Sequence, residues 1–200
     1  MVKTITVEWL QSKGACEESI KAWHGETDHD TFATLNRLVV KNPEWGHWLI
    51  CRIMNKNQSV QYAIFAAEQV IDIYEGKYPN DKRPRNAIEA AKAYLKNPSK
   101  KTKAAAAASA AAANTAAADA NTAAYAAAYA AYAAANTAAY AAAFAAYAAA
   151  YTSTYAYAAA SAASAAADAV ADAASDAAAY ERRKMKAKIL KYGIGLLEQS

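Results

Sequence analysis

Apolar residues in the first half of the chain recur at the spacing of amphipathic helices, and turn-forming residues separate these segments. No stretch keeps the strict apolar and polar alternation that is typical of a half-buried strand. The pattern predicts a short apolar turn at 6–11 and helices over 16–24, about 31–42, 43–53, 59–78 and about 84–96. The sequence therefore predicts an all-α fold whose first half is a helical bundle.

Turn and capping residues support these boundaries. Gly14 suits the position just after the first turn, because glycine adopts the left-handed conformation without a Cβ penalty. Asp30 or Thr31 can cap the third segment, since their side-chain oxygens accept hydrogen bonds from free backbone N–H groups. Pro43 stops that segment and suits the first position of the next helix.

The second half is dominated by alanine and carries a regular aromatic stripe. Alanine makes up 49 of the 77 residues from 104 to 180, and it is the strongest helix former. The aromatic residues recur at steps of three or four positions, with one step of eight, and this spacing keeps neighbouring rings on one helical face. They are Tyr125, Tyr129, Tyr132, Tyr140, Phe144, Tyr147, Tyr151 and Tyr155. Core packing against alanine is the favoured interpretation, and base stacking is the alternative.

One helix from Pro98 to Tyr192 would be roughly 140 Å long at 1.5 Å per residue, too long for a 200-residue globule. We expect it to fold back, with breaks near 114–121 and near Thr152, where Asn, Thr and Ser can cap new helices. These expectations divide the chain into an N-terminal helical region, 1–97, and an alanine- and tyrosine-rich region, 98–200, within one continuous fold. The second region is predicted to be a stack or hairpin of long helices.

Charge is unevenly distributed along the chain. Residues 104–180 hold four acids and neither Lys nor Arg, so the rest carries a net charge of +8 within a total of +4. Six basic residues between 182 and 191 could bind nucleic acid. Such a run often forms a solvated helix face instead, and we do not expect nucleic acid as the partner. The two cysteines, the lack of a leader pattern and the polar interruptions of the alanine run predict a cytoplasmic protein without a membrane span.

The first candidate site is the Arg-Pro-Arg segment at 83–85. Pro84 suits the first turn of a helix, where the helix dipole disfavours cations, so Arg83 and Arg85 should have a compensating anion. One interpretation is a site for phosphate or an acidic partner, in which each guanidinium grips two oxygens. The other is an internal ion pair that fixes the start of the helix. Its acidic member would be Asp81, Asp72 or Glu89.

A second candidate surface is aromatic. Trp45 and Trp48 share one predicted helix, and together with Trp23 they form the tryptophan-bearing part of the N-terminal bundle. Aromatic and Arg side chains are enriched among the residues that dominate protein interfaces. The ligand- or partner-binding residues that we predict are therefore Arg83, Arg85, Glu89, Tyr94, Trp45 and Trp48.

Catalytic and metal-binding constellations are weak by comparison. The segment 24–30 holds two histidines and three acids, but their spacing matches no established metal motif, so we expect a polar loop. His47 lies between tryptophans and is expected to pack against them. No credible pair of nucleophile and base emerges, so we predict a non-enzymatic protein with no catalytic residues, metal or cofactor.

Several segments resemble one known family. They are Thr6-Val-Glu-Trp-Leu10 with Gly14-Ala-Cys16, Trp45-Gly-His-Trp-Leu49, Ala63-Ile-Phe-Ala-Ala-Glu-Gln-Val70 and Arg83-Pro-Arg-Asn-Ala-Ile-Glu-Ala-Ala91. Together with the alanine and tyrosine repeats, they are similar to the "putative immunity protein" family of tailed phages and bacterial polymorphic-toxin loci. The resemblance implies an α-helical protein that acts in conflict between bacteria, or between phage and host, by binding its target.

Two functions fit these expectations. In the first, the chain sequesters or blocks a protein toxin or defence effector through the tryptophan-bearing surface. In the second, it is a sponge for a small anionic nucleotide signal, with Arg83 and Arg85 on the phosphate and tyrosines stacked on the base. The sequence does not decide between them, and whether the chain forms a homo-oligomer stays open.

Overall fold

Every regular element in the described part of the chain is an α-helix. The computed structural model describes residues 3–26, 29–124, 161–162 and 176–199. Its helices are α1 (Val7–Ser12), α2 (Glu17–His24), α3 (Thr31–Lys41), α4 (Pro43–Ile53), α5 (Lys56–Glu68), α6 (Ile71–Lys77), α7 (Arg83–Lys96), α8 (Lys100–Ala124) and α9 (Asp176–Glu198). Within these ranges the extended pairing is limited to an isolated antiparallel bridge between Thr4 and Asp30. The all-α prediction is confirmed.

Local capping explains where the N-terminal helices begin. Four of them follow a side chain that accepts a hydrogen bond from the backbone N–H three residues on, namely Thr6, Asp30, Asn42 and Asn55. Pro43 occupies the first turn of α4, as predicted. Gly14 has φ +74°, the left-handed conformation expected of the residue that follows a helix end.

The amphipathic segment at 59–78 is two helices rather than one, which corrects the prediction. α5 begins earlier, at Lys56, and the backbone leaves the helical conformation at Val70, with φ −132° and ψ −4°. Val70 and Ile71 are both essentially inaccessible to solvent. Successive residues of an uninterrupted helix point about 100° apart, so the break allows both neighbours to face the core.

The predicted break at 114–121 is also wrong. α8 runs as one helix from Lys100 to Ala124. The Thr115 hydroxyl donates to the carbonyl oxygen of Ala111 at 3.1 Å, so this polar side chain is satisfied inside the helix and does not cap a new one. The second predicted break, near Thr152, and the whole aromatic stripe lie outside the described residues.

The C-terminal helix α9 joins the parts of the bundle together. It packs against α3, α4 and α5, while α7 packs against α5 and α8. Ile189, Leu190, Ile194 and Leu197 of α9 are buried in the main core. The same core includes buried alanines at 106, 116 and 162, so residues on both sides of position 97 contribute to it.

Two glycines allow α9 to approach its neighbours closely. A Cβ built on Gly46 of α4 would overlap the Leu190 side chain, and one on Gly193 of α9 would lie 2.5 Å from Cε2 of Tyr62. Glycine inside a helix costs roughly 1 kcal/mol relative to alanine. Close packing of α9 against α4 and α5 offsets that cost, because interiors tolerate neither voids nor overlaps.

Buried polar contacts also anchor α9. Lys186 is 7% exposed, and its ammonium lies 2.5 Å from the Glu44 carboxylate on α4. On the neighbouring side of α4, Nδ1 of the buried His47 is hydrogen-bonded to the Tyr62 hydroxyl. Burial lowers the pKa of His47 to about 4, so its ring is neutral at neutral pH. None of the described helices combines the length and hydropathy needed to cross a bilayer.

Candidate functional site

Three tryptophans meet at one cleft between the first four helices. Trp23 of α2 is buried at 7% exposure, and Trp45 and Trp48 of α4 are half-buried at the opening. The cleft has a volume of about 380 Å³, and its lining is mainly apolar. We call this feature the tryptophan cleft, defined by Trp23, Trp45 and Trp48 with Leu38 and Cys16 at its sides.

The local sequence accounts for this geometry. Asn42 caps α4 and accepts a hydrogen bond from the Trp45 backbone N–H at 3.2 Å, which fixes the first turn that carries the tryptophan. Trp45 and Trp48 are three residues apart, so they lie on one face of α4. The indole N–H of Trp23 is buried and has no acceptor among the described residues. That nitrogen is inaccessible to solvent, so Trp23 contributes its ring surface and not its N–H to the cleft.

The acidic side chains around the tryptophan cleft are paired within the chain. Oε2 of Glu26 lies 3.1 Å from Nε of Arg37, and Oε1 of Glu26 lies 3.7 Å from the Lys41 ammonium. Glu44 lines the cleft as well, and its carboxylate accepts a hydrogen bond from Lys186 that lowers its pKa. Both carboxylates therefore already pair with cations of the chain itself.

Arg52, one helical turn after Trp48, is held differently. Its guanidinium carbon lies 4.0 Å from the centroid of the Trp48 ring. Its Nε donates to the carbonyl oxygen of Lys13 at 3.3 Å, and its Nη1 donates to the carbonyl oxygen of Trp48 at 3.0 Å. In the described ranges no carboxylate forms an ion pair with this guanidinium. Desolvation lowers the pKa of Arg52, but a guanidinium remains charged at neutral pH.

Arg83 lies in an internal ion pair at the start of α7. Its Nε lies 3.0 Å from Oδ1 of Asp81 and its Nη2 lies 2.6 Å from Oδ2 of the same carboxylate. The Arg83 backbone N–H also donates to Asp81, at 3.0 Å. The hydrogen bonds from Arg83 lower the pKa of Asp81 to about 2, and the Tyr74 hydroxyl, which donates to Asp81 at 2.7 Å, adds to this effect.

Arg85 is also paired internally. Its Nε and Nη2 contact the two carboxylate oxygens of Glu75 at 3.1 and 2.5 Å, and Nη2 lies 3.3 Å from Asp72. The hydrogen bonds from Arg85 lower the pKa of Glu75. The anions that should compensate cations at a helix N-terminus are thus residues of α6 and of the turn that follows it. Of the sequence alternatives, the structure shows the internal ion pairs, and a ligand-binding role for these arginines stays a prediction.

The six predicted binding residues fall into two groups. Trp45 and Trp48 line the tryptophan cleft, whereas the other four lie on α7. Of these, Glu89 contacts the Lys92 ammonium at 2.8 Å, and the Tyr94 hydroxyl accepts a hydrogen bond from the Lys56 ammonium at 2.8 Å. The Lys56 ammonium also lies 4.4 Å from the centroid of the Tyr94 ring. All four α7 residues therefore have partners within the fold.

The histidine-bearing loop has a structural role where it is described. The His29 ring lies against Trp23, with centroids 4.7 Å apart, and Asp30 caps α3. The described residues contain no group of three or more side chains suited to a metal ion. Asp28 lies outside the described residues.

Sequence reasoning missed the two charged contacts that matter most around the cleft. The Trp48 and Arg52 pair has the helical spacing of four residues, so this stack could have been recognised from the sequence. The Glu44 and Lys186 pair joins residues 142 positions apart, and no local pattern indicates it.

These features define an all-α protein with an aromatic, arginine-flanked cleft on its N-terminal helices. At the level of families, residues 49–163 match the Imm-5 like putative immunity protein family. Because the match covers more than half of the chain, the chain belongs to this family, which confirms the resemblance and gives the chain an immunity-type role. No curated protein and no solved structure matches the chain. The three tryptophans of the cleft precede the matched residues, whereas the ion pairs of α7 lie within them.

Proposed function

We propose that the chain neutralises a protein toxin or defence effector by binding it at the tryptophan cleft, without catalysing a reaction. The family supplies the immunity-type role. The observation that carries the rest is the convergence of Trp23, Trp45 and Trp48 on one apolar cleft of about 380 Å³. This activity would take place in the cytoplasm of a bacterial cell, during conflict between bacteria or between phage and host.

The composition of the cleft suits a protein partner. Tryptophan and arginine are the residues most enriched where single side chains dominate binding energy, and such residues lie in desolvated pockets. An aromatic anchor of the partner buries about 150–250 Å². At about 25 cal/mol per Å², that burial is worth roughly 4–6 kcal/mol before the entropic cost of association. A cleft of this size can therefore supply much of the affinity of an inhibitor.

The nucleotide sponge is the weaker alternative. It requires Arg83 and Arg85 to bind phosphate, but both guanidinium groups already contact carboxylates bidentately. A phosphate would have to displace Asp81 and Glu75 and leave their charges unpaired, which is costly for partly buried carboxylates. The tyrosines assigned to base stacking lie outside the described residues.

The test is a co-expression assay in bacteria against a panel of toxin and defence-effector domains. The chain should relieve growth arrest by at least one domain, and Trp45→Ala and Trp48→Ala should lose that protection. In vitro, each substitution should weaken binding of the same domain by about 2 kcal/mol or more, as truncation of an interface hot spot does. Calorimetric titration of the purified pair measures this loss.

Trp9→Ala is the matched control. Trp9 is a partly buried tryptophan of α1 that packs on the same core, but it does not line the tryptophan cleft. The Trp9→Ala variant should still protect the cells, although it loses about as much side-chain packing as Trp45→Ala or Trp48→Ala. The proposal is wrong if no domain of the panel is relieved, or if protection survives in folded Trp45→Ala and Trp48→Ala variants.

A further inference from the structure

One cation next to the tryptophan cleft, Arg52, has no acidic partner among the described residues. Arg52 stacks on Trp48, and the chain reaches Gly14 of the cleft lining directly after Lys13, whose carbonyl holds Arg52. Arg52 does not itself line the cleft, but it contacts one of the lining residues, Trp48, directly. Glu26 and Glu44 of the cleft lining pair with other cations of the chain, so neither of them neutralises Arg52.

We infer that the tryptophan cleft takes a segment of a protein partner in which an apolar, preferably aromatic, side chain stands next to a carboxylate. The apolar side chain enters between the tryptophans, and the carboxylate binds Arg52. This inference rests on the proposed function and adds the chemistry of the partner to it.

The geometry of Arg52 supports a carboxylate as its ligand. A guanidinium has five N–H donors, and the structure assigns two of them to backbone carbonyls. In the described part of the chain Nη2 has no acceptor, so its N–H groups are free to donate to a carboxylate. The Trp48 ring and the two carbonyls hold the side chain in place, which reduces the entropy lost on binding.

Charge complementarity points the same way. Glu26 and Glu44 of the cleft lining already pair with cations of the chain, whereas Arg52 beside Trp48 pairs with no carboxylate of the described residues. An unbalanced cation of this kind attracts an acidic group of a partner and disfavours a basic one.

The test uses a random dodecapeptide library selected on the purified full chain. Enriched peptides should combine an aromatic or large aliphatic residue with a neighbouring Asp or Glu. Arg52→Gln should weaken the best peptide by about 10- to 100-fold, the loss expected when a charged group is removed from a hydrogen-bonded pair. Arg52→Lys keeps the charge but loses the planar guanidinium, so its peptide affinity should lie between that of the natural chain and that of Arg52→Gln.

Lys100→Gln is the charge-matched control. Lys100 is an exposed residue at the start of α8, and its replacement removes the same single charge from the chain. It should change peptide affinity by less than about twofold, because a remote surface charge is screened by salt. Circular dichroism and the melting temperature of each variant show whether Arg52→Gln retains its fold. If it does not, the peptide affinity of Arg52→Lys provides the test.

Labelling of Cys16 separates this inference from the proposed function. Cys16 is exposed and lines the tryptophan cleft, whereas Cys51 is fully buried, so a bulky maleimide blocks the cleft without any substitution. Cys16→Ser treated with the same reagent is the control. If the enriched peptides are neutral or basic but labelling abolishes their binding, the acidic partner is wrong and the cleft stands as the binding site. If labelling leaves peptide binding intact, or if no peptide is enriched, both the inference and the proposed function at the cleft are overturned.

Discussion

Replacing Gly193 with alanine should destabilise the protein, although alanine is the better helix former. A Cβ at this position would lie 2.5 Å from Cε2 and 2.8 Å from Cδ2 of Tyr62, and 2.8 Å from Cδ1 of Ile50. Tyr62 and Ile50 are both inaccessible to solvent, and the Tyr62 hydroxyl is hydrogen-bonded to His47. The ring therefore cannot move aside without disturbing the contact between α5 and α9.

Two opposing effects set the change in the free energy of unfolding. Insertion of a methyl group into a well-packed core costs about 1–3 kcal/mol, and two rigid neighbours place Gly193→Ala in the upper part of that range. The gain in helix propensity is at most about 1 kcal/mol. We expect a net loss of about 1–2 kcal/mol. For a chain of this length each kcal/mol lowers Tm by about 2–4 °C, so Tm should fall by about 2–8 °C.

Gly195→Ala provides a control in the same helix. Nothing lies within 4 Å of a Cβ built at Gly195, so only the propensity term acts and the variant should be as stable as the natural chain or more so. Thermal and urea unfolding followed by circular dichroism measure both variants. If Gly193→Ala were as stable as Gly195→Ala, α9 would not lie as close to Tyr62 as described, and the reasoning would fail.

Three further predictions concern charge and reactivity. The double variant Arg83→Gln/Arg85→Gln should lose about 1–2 kcal/mol in urea unfolding, because two carboxylates lose bidentate partners; an unchanged midpoint would contradict the internal role of these arginines. The pKa of Asp81 is about 2, below its usual 3.8, so the stability that this carboxylate contributes is present above pH 3.8 and is lost as the pH falls towards 2. Asp81→Asn should therefore remove this part of the acid dependence of Tm. An unaltered acid profile of Tm in the variant would refute the prediction. Burial raises the pKa of the Cys51 thiol to about 12, whereas Cys16 is exposed. A thiol reagent should therefore modify Cys16 alone in the native protein and both cysteines after unfolding. Rapid labelling of Cys51 in the native protein would contradict the burial of this thiol.

Local rules in the sequence located most of the N-terminal helices. Gly14, Asp30 and Pro43 each have a preferred position at a helix end, and the structure places all three there. These signals act over three or four residues, and neighbouring tertiary contacts do not change them. The all-α fold follows from them and from the high helix propensity of alanine.

The errors occurred where tertiary packing outweighs local preference. Nothing in the sequence around Val70 marks a helix end, and the break exists because the core accommodates both Val70 and Ile71. At Thr115 the reverse applies, since a residue that can cap a helix forms a hydrogen bond within α8. Neither outcome could be predicted without knowing what surrounds the segment.

The candidate site shows the same division between local and distant information. The helix dipole requires an anion beside Arg83 and Arg85, and that requirement was correctly read from the sequence. Which residues supply that anion depends on how α6 turns back on α7, because this turn brings Asp81 to Arg83 and Glu75 to Arg85. Arg52 has the opposite arrangement, because neutral carbonyls hold it beside Trp48 and no carboxylate of the described residues balances its charge. A partner that carries a carboxylate can complete the pairing at Arg52 without breaking an existing ion pair, and for this reason we place binding at the tryptophan cleft rather than at α7.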